Sequence, residues 1–370
     1  MVPMIEHSDP LAPDYQNACV TRLIPALLEG TEEPDWISPE MLQSTSVVLL
    51  VLDGLGWNQL RSRPEVAPTL MAMDGGAITT VAPSTTAAAL TSITTGRPPG
   101  EHGLLGYRVA VADGVLNTLR WKTADGDARI RHDPETFQPL DCFGSQRPPV
   151  VTWQSFVDSG FTRAHLAGTR VTGFEDRAGL VESVLGLIAT SEPFVYAYWD
   201  GIDHTAHEFG LADRYDEELA ECDRMVTELL ARLPVGTGVM VTADHGQVHV
   251  GDSMLDLPVD VTTLLTRQSG EARFRWLHAR PGASQDLEEG AREAFNAVAW
   301  VHTAQEVVEA GWLGPVVTNA ARERLGDVAL VAREDIGFVD PAEFIPIQLI
   351  GRHGSLTSDE MLVPALGAVV

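Results

Sequence analysis

Lysine is almost missing from this chain. Lys122 stands alone among 25 basic residues, set against 52 acidic ones, for a formal charge of −27 over 370 residues. A surface so charged repels nucleic-acid backbones and anionic membranes, which argues against a polyanion-binding role. Cysteine is nearly as scarce. Cys19, Cys142 and Cys222 lie far apart with no C-x-x-C spacing, so neither a disulfide framework nor a zinc knuckle is expected. The thiols read as buried or free in a reducing compartment. No apolar run approaches the roughly 18 residues of a membrane span. The first twenty residues show no basic stretch followed by an apolar one, so no secretory signal is expected. There is no G-x-G-x-x-G, no P-loop, no internal repeat and no low-complexity segment, which leaves a plain nucleotide-binding module without its motif. These absences predict a soluble, cytoplasmic protein with a small-molecule substrate. An anionic substrate would need local positive charge, from metal ions or a few arginines.

What is present is a large core in prospect, since 44% of the residues are hydrophobic. Ser46–Leu52, Phe194–Trp199 and Gly238–Thr242 are continuous apolar runs, the pattern of strands buried on both faces of a parallel sheet. Val150–Thr152 and Thr162–Ala167 read as shorter strands. Helices are predicted at Cys19–Leu28, Glu175–Thr190, Leu287–Val298 and Ala304–Ala310, and from Tyr215 to Leu233, where Tyr215, Leu219, Cys222, Met225, Val226 and Leu229 share one face. Val109–Ala112 and Val115–Leu116 read as a hairpin around Asp113-Gly114. Arg108, Arg120, Lys122, Arg129 and Arg131 cluster in that region, either as a solvated insertion or as a substrate-facing flap. The fold class expected is a single α/β domain over 1–370. It has a mostly parallel central sheet with helices on both faces, and insertions at 108–150 and 255–345.

Acidic and histidine residues recur at the carboxyl ends of the apolar runs, where open α/β sheets place their ligands. Asp53 follows the first run and precedes Gly54. Asp203 and His207 follow the second, and a spacing of four places them on one face of a helix. Asp244-His245-Gly246 follows the third, and His353-Gly354 lies in the tail. Each has an ordinary reading: a turn, a hydrogen-bonded loop histidine, a capped helix start. Together they form a metal-ligand inventory. The stretch Val81–Tyr107 adds Pro83-Ser84-Thr85-Thr86 ahead of a helix of small residues that closes at Thr95-Gly96. A hydroxyl there ordinarily caps the first turn, yet a helix N-terminus also favours a phosphoryl group.

In this order the motifs resemble those of the alkaline phosphatase superfamily, and within it the nucleotide pyrophosphatase/phosphodiesterase branch. The nucleophile motif of that branch overlays Pro83, Thr86 and Thr95-Gly96 without a gap, ahead of Ser84 and Thr85 as rivals, and Glu101-His102-Gly103 resembles the segment that follows. The resemblance implies an alkaline-phosphatase-like three-layer sandwich and two Zn²⁺ ions, other divalent metals being possible. Asp203, His207 and His353 would hold one ion; Asp53, Asp244, His245 and the Thr86 oxygen would hold the other. Mixed imidazole and carboxylate ligands suit zinc better than magnesium. The activity implied is hydrolysis of a phosphodiester or pyrophosphate through a covalent phospho-threonine at Thr86. One position departs from the branch, which keeps an asparagine three residues after the nucleophile to contact the phosphoryl group: here, in Ala87-Ala88-Ala89, it is Ala89. That keeps phosphomonoester or phosphonate hydrolysis open on the same site, and also a metal-stabilised binding protein without catalysis. His204 and His249, beside the ligand motifs, could brace ligands. His102 is expected to brace its loop.

Overall fold

The computed structural model describes residues 9–343 and 348–370. Its centre is the run predicted first: Ser46–Leu52 is a strand whose side chains from Val47 onward are buried on both faces. It lies in a seven-stranded sheet in the order Asp74–Thr79, Leu362–Val369, Thr237–Thr242, Ser46–Leu52, Phe194–Trp199, Pro149–Trp153 and Arg170–Phe174. The last five are parallel to one another. Leu362–Val369 runs antiparallel to both of its neighbours.

The register of the central strands decides where the chemistry sits. Val51 pairs with Thr242 and Leu52 with Trp199, so three adjacent parallel strands end level with one another. Asp53, Asp203 and Asp244 therefore leave the sheet along one edge.

Helices complete the layers. Arg177–Ala189 starts at Asp176, whose carboxylate accepts from Gly179 N, and it packs on Phe194–Trp199, Pro149–Trp153 and Arg170–Phe174. Asp213–Arg232 buries Tyr215, Leu219, Cys222, Met225, Val226 and Leu229, the face expected from its periodicity. Thr86–Thr95 ends on Gly96, whose φ of 65° is the left-handed C-cap that glycine adopts without steric cost. The three cysteines are buried and free. Among the described residues, no helix is long and apolar enough to cross a membrane.

A second sheet is antiparallel, in the order Leu265–Gly270, Phe274–Ala279, Val328–Ala332, Ala299–Thr303. It is covered on both sides. Val328, Leu330 and Ala332 face a cluster with Leu287, Ala291 and Phe295 of the Ser284–Phe295 helix. Ala329 and Val331 face another with Ala82, Leu105, Leu356 and Met361, which carries the sheet onto the segments flanking Thr86 and His353. A small meander, Arg108–Val111, Gly114–Asn117, Lys122–Thr123 and Gly126–Asp127, includes the predicted hairpin, with Val111 opposite Gly114.

Three readings of the sequence are corrected. Thr162–Ala167 is not a strand: Gly160–His165 is helical, because Ser159 Oγ accepts from Thr162 N at 3.0 Å and caps it. The neighbouring strand is Arg170–Phe174, an edge strand too polar and too unevenly buried to stand out as an apolar run. Ile78–Ala82 reads as a short β-like run, but the paired strand starts earlier and stops sooner, at Asp74–Thr79, where two glycines hide its first half; only Ile78 and Thr79 of the run are in it. Gly75 is required there, since a Cβ would sit 2.0 Å from Ala365 O. Cys19–Leu28 is irregular rather than a regular helix: a 3₁₀ turn at Val20–Arg22 gives way to a wide turn at Pro25–Glu29, where proline offers no N–H.

Candidate metal centre and nucleophile

Asp53 continues the ladder of its strand, its N–H donating to Trp199 O at 2.9 Å and its carbonyl accepting from Asp203 N at 3.1 Å. Its side chain is fully enclosed. Oδ2 accepts from the Tyr198 hydroxyl, and Oδ1 is buried with no hydrogen-bond partner. Asp244 repeats the arrangement. Oδ1 accepts from Gly54 N at 3.1 Å and His245 N at 3.0 Å, while Oδ2 is buried and bare. Each carboxylate is thus pinned through one oxygen and presents the other inward. The bare oxygens face His245 Nε2, Asp53 Oδ1 at 3.4 Å and Asp244 Oδ2 at 3.3 Å.

Asp203 and His207 lie one turn apart on the helix Gly201–Phe209, with His207 Nε2 3.3 Å from Asp203 Oδ1. Gln247 Nε2 donates to that same oxygen, and His353 Nε2 lies 3.8 Å from it. The three histidines share one orientation. His207 Nδ1 is 2.7 Å from Gly351 O, His245 Nδ1 3.0 Å from Gly246 O, and His353 Nδ1 3.0 Å from Ser84 O. A carbonyl only accepts, so each Nδ1 carries the proton and donates. That leaves each Nε2 lone pair directed at the cluster, the tautomer a metal ligand needs.

Two groups of ligand atoms each converge within 4.8 Å: Asp53, Asp244 and His245, and Asp203, His245 and His353. His245 belongs to both, and His207 lies outside the tighter second group although it touches Asp203. Burial, together with the charges of Asp244 and Asp203, pushes the Asp53 carboxyl well above its usual range. Burial also raises Asp244 and Asp203, and lowers His245 and His353. Two buried carboxylates, a third half-buried, and stacked imidazoles, the His245 and His353 rings 3.5 Å apart at 9°, are costly without a cation. Two partnerless buried oxygens and inward-facing Nε2 atoms fit a divalent metal.

The hydroxyls of the nucleophile stretch separate by accessibility. Ser84 is fully buried, and its Oγ donates to Ser355 O at 2.7 Å. Thr85 is 1% exposed. Thr86 begins its helix half-buried, reaches the cleft, and holds its Oγ1 3.2 Å from His245 Nε2. No side chain caps this helix, so the first-turn N–H groups are not taken by a cap. Ala87, Ala88 and Ala89 are all packed in the core.

The cleft holds about 420 Å³, with Thr86, Tyr107, Arg120, Glu271, Arg352 and His353 on its walls. A smaller apolar hollow adjoins Thr86 on another side, among Leu90, Phe156, Phe161, Leu166, Tyr196 and Tyr198. The arginine cluster of the sequence is dispersed. Arg108 is buried against Asp340 and Glu343; Arg129 and Arg131 pair with Asp127 and Asp125 on the surface; Arg120 alone lines the cleft. His204 is exposed beside Glu208 and His249 is exposed, and neither is hydrogen-bonded to a candidate ligand. His102 is buried between Ser92 Oγ and Leu104 N and pulled down to about 3 by burial, a neutral brace for its loop.

Residues that motif spacing missed are Tyr198, Gln247, Tyr107, Glu271 and Arg352. Gln247, directly after Asp244-His245-Gly246, Arg352, directly before His353-Gly354, and Tyr107, at the end of the Val81–Tyr107 stretch, carried a signal by position; Tyr198 and Glu271 did not. Glu271 is buried, accepts from Tyr107 N at 2.7 Å, and is pushed up to about 7 by burial and then by Glu343. Its folded pKa is raised, so the stabilising proton is fully present below the ordinary carboxylate value. That stability is lost as pH rises through about 7. In chelator-treated protein, Glu271→Gln should therefore gain on the wild type between pH 5 and pH 8, by up to about 3 kcal/mol. Urea unfolding at the two pH values checks this; parallel profiles would show that Glu271 is solvated.

The profile of the Type I phosphodiesterase / nucleotide pyrophosphatase family matches residues 47–356. None of the curated proteins matches the chain. Among solved structures, human ectonucleotide pyrophosphatase/phosphodiesterase 5 superposes with a TM-score of 0.65 at 16% identity, over 87% of each chain. The murine form, in an inactive variant in complex with AMP, gives 0.63 at 15%, over 86% of this chain and 87% of that one. Phosphonoacetate hydrolase from Sinorhizobium meliloti 1021, in complex with phosphonoformate, gives 0.64 at 16%, over 88% of this chain and 90% of that one. These likenesses establish the alkaline-phosphatase-like fold.

Proposed function

The chain belongs to the type I phosphodiesterase/nucleotide pyrophosphatase family and is a phosphoryl-transfer hydrolase, and we propose that it cleaves phosphodiesters or pyrophosphates at a two-zinc centre through Thr86. The observation that carries this reading is the pair of buried carboxylate oxygens, Asp53 Oδ1 and Asp244 Oδ2, bare and facing His245 Nε2 beside the Thr86 hydroxyl. Asp53, Asp244 and His245, with the Thr86 oxygen, would hold one ion; Asp203, His207 and His353 would hold the other. When bound, the ions supply the positive charge that makes a threonine hydroxyl an effective nucleophile and neutralises the phosphoryl oxygens.

The chain's own residues do the rest. Thr86 attacks phosphorus, the P–O bond to the leaving group breaks, and a phospho-threonine forms; water then cleaves it and restores the hydroxyl. The N–H groups at the start of the Thr86–Thr95 helix donate to the equatorial oxygens. Backbone carbonyls fix the three imidazoles, and Tyr198 and Gln247 fix Asp53 and Asp203, so the ligands are oriented in advance. The apolar hollow takes an uncharged part of the ester. In this reading 1–370 is one catalytic unit, and the segments at 108–150 and 255–345 are insertions that shape the cleft.

The test is metal analysis of purified protein followed by turnover of bis-p-nitrophenyl phosphate and p-nitrophenyl phosphate. About two zinc ions per chain and a higher kcat/KM on the diester are expected, with chelation abolishing turnover and zinc restoring it. A preference for the monoester would make the protein a phosphomonoesterase on the same site. Bound zinc with no turnover of either would make it a binding protein.

A further inference from the structure

Arg352 is out of keeping with the rest of this acidic chain. It lies on the short strand Gly351–Arg352, paired with Val248–His249, immediately before the candidate ligand His353, and lines the cleft with Thr86. Its Nε is buried without a hydrogen-bond partner, and its guanidinium makes no ion pair among the described residues. Glu343 and Glu271 line the same cleft and act on it electrostatically, yet neither forms an ion pair with it among the described residues. Glu343 is taken by Arg275 at 2.9 Å and Arg108 at 3.6 Å, while Glu271 accepts from Tyr107 N. A half-buried guanidinium whose Nε is enclosed without a partner costs stability. Arg120 reaches the same cleft from the opposite part of the sequence, and its side chain is also free of ion pairs among the described residues. The cleft, at about 420 Å³, has room for more than one phosphoryl group.

Resting on the hydrolase reading above, we propose that Arg352, assisted by Arg120, binds a second anionic group of the substrate, a carboxylate or a further phosphoryl group beyond the one that Thr86 attacks. A guanidinium fork offers two parallel N–H donors to either anion, so Arg352 sets specificity while Thr86 and the metal ligands handle the scissile phosphoryl.

The test is calorimetric titration of metal-loaded protein with methylphosphonate, phosphonoacetate and methylenediphosphonate, which share one phosphonyl head. They add nothing, a carboxylate or a second phosphonyl group to it. Metal content is measured after each titration. At least one doubly anionic ligand should bind tighter than methylphosphonate, and which one does so identifies the second group. Arg352→Gln should weaken that ligand about 10- to 100-fold and methylphosphonate less than about threefold. Arg352→Lys should recover part of the loss, and Arg120→Gln, at an exposed position, should give a smaller loss of the same selectivity. Equal weakening of all three ligands by Arg352→Gln, or no advantage of either doubly anionic ligand, overturns this inference and leaves the hydrolase reading intact. Failure of wild-type protein to bind methylphosphonate as well overturns both.

Discussion

Replacing Thr86 with alanine should lower kcat by on the order of 10³-fold or more while leaving the metal content unchanged. Removal of an attacking hydroxyl leaves only positioning and charge stabilisation. Neither neighbour can substitute: Ser84 Oγ is committed to Ser355 O, and Thr85 is buried in the turn. A metal held as proposed should stay, because Asp53, Asp244 and His245 are fully enclosed and are positioned by Tyr198, Gly54 and a backbone carbonyl. Stability should change by less than about 1 kcal/mol, since the side chain is half-exposed. Thr86→Ser should retain measurable turnover, because it keeps the hydroxyl. Acid quenching of the wild type in mid-turnover should leave a phosphoryl group on the peptide containing Thr86. Full activity in Thr86→Ala would remove the nucleophile assignment. Loss of both metal and activity would make the Thr86 oxygen a structural ligand.

That the candidate ligands meet was legible from sequence for a simple reason. Ser46–Leu52, Phe194–Trp199 and Thr237–Thr242 are adjacent, parallel and in register, so a residue just beyond each strand lands on the same edge whatever lies between. Strand burial is a local pattern, and local patterns survive in sequence. The residues that escaped depend on long-range packing. Tyr198 donates to Asp53 across 145 positions, and Gln247 reaches Asp203 across 44. Glu271 meets Tyr107 only because the second sheet folds back onto the Thr86 region. The arginine-rich stretch divides between its two readings: Arg129 and Arg131 are solvated on the surface, Arg120 faces the cleft, and Arg108 is buried against Asp340. Thr162–Ala167 misled through composition, since a single serine cap outweighs the strand preference of the residues after it.

That second sheet also holds the site together, and Arg273→Met should show how strongly. Arg273 precedes the strand Phe274–Ala279 and is 0% exposed, as is its partner Glu360. Nε and Nη2 each donate to a Glu360 oxygen at 2.8 Å, and Nη1 donates to Glu334 O at 2.8 Å and Ile336 O at 2.6 Å. Glu360 in turn accepts from Ser355 N at 2.9 Å and Thr357 Oγ1 at 2.6 Å, closing the turn that follows His353-Gly354. Its backbone carbonyl accepts from Gly246 N at 2.9 Å, next to His245. One ion pair thus ties the second sheet to two candidate ligands. Removing the arginine alone leaves a carboxylate buried without its counter-charge, at a cost of about 3–5 kcal/mol. Arg273→Met with Glu360→Leu should cost less than the sum of the single changes, because no charge is then stranded and only the bonds to Ser355, Thr357 and the two carbonyls are lost. Urea unfolding of the four proteins of this cycle measures the coupling, and zinc titration of Arg273→Met should show weakened metal affinity as the His353 turn loosens. A cost below about 1 kcal/mol for Arg273→Met would mean that water reaches the pair and that the turn is held by the main-chain bonds alone.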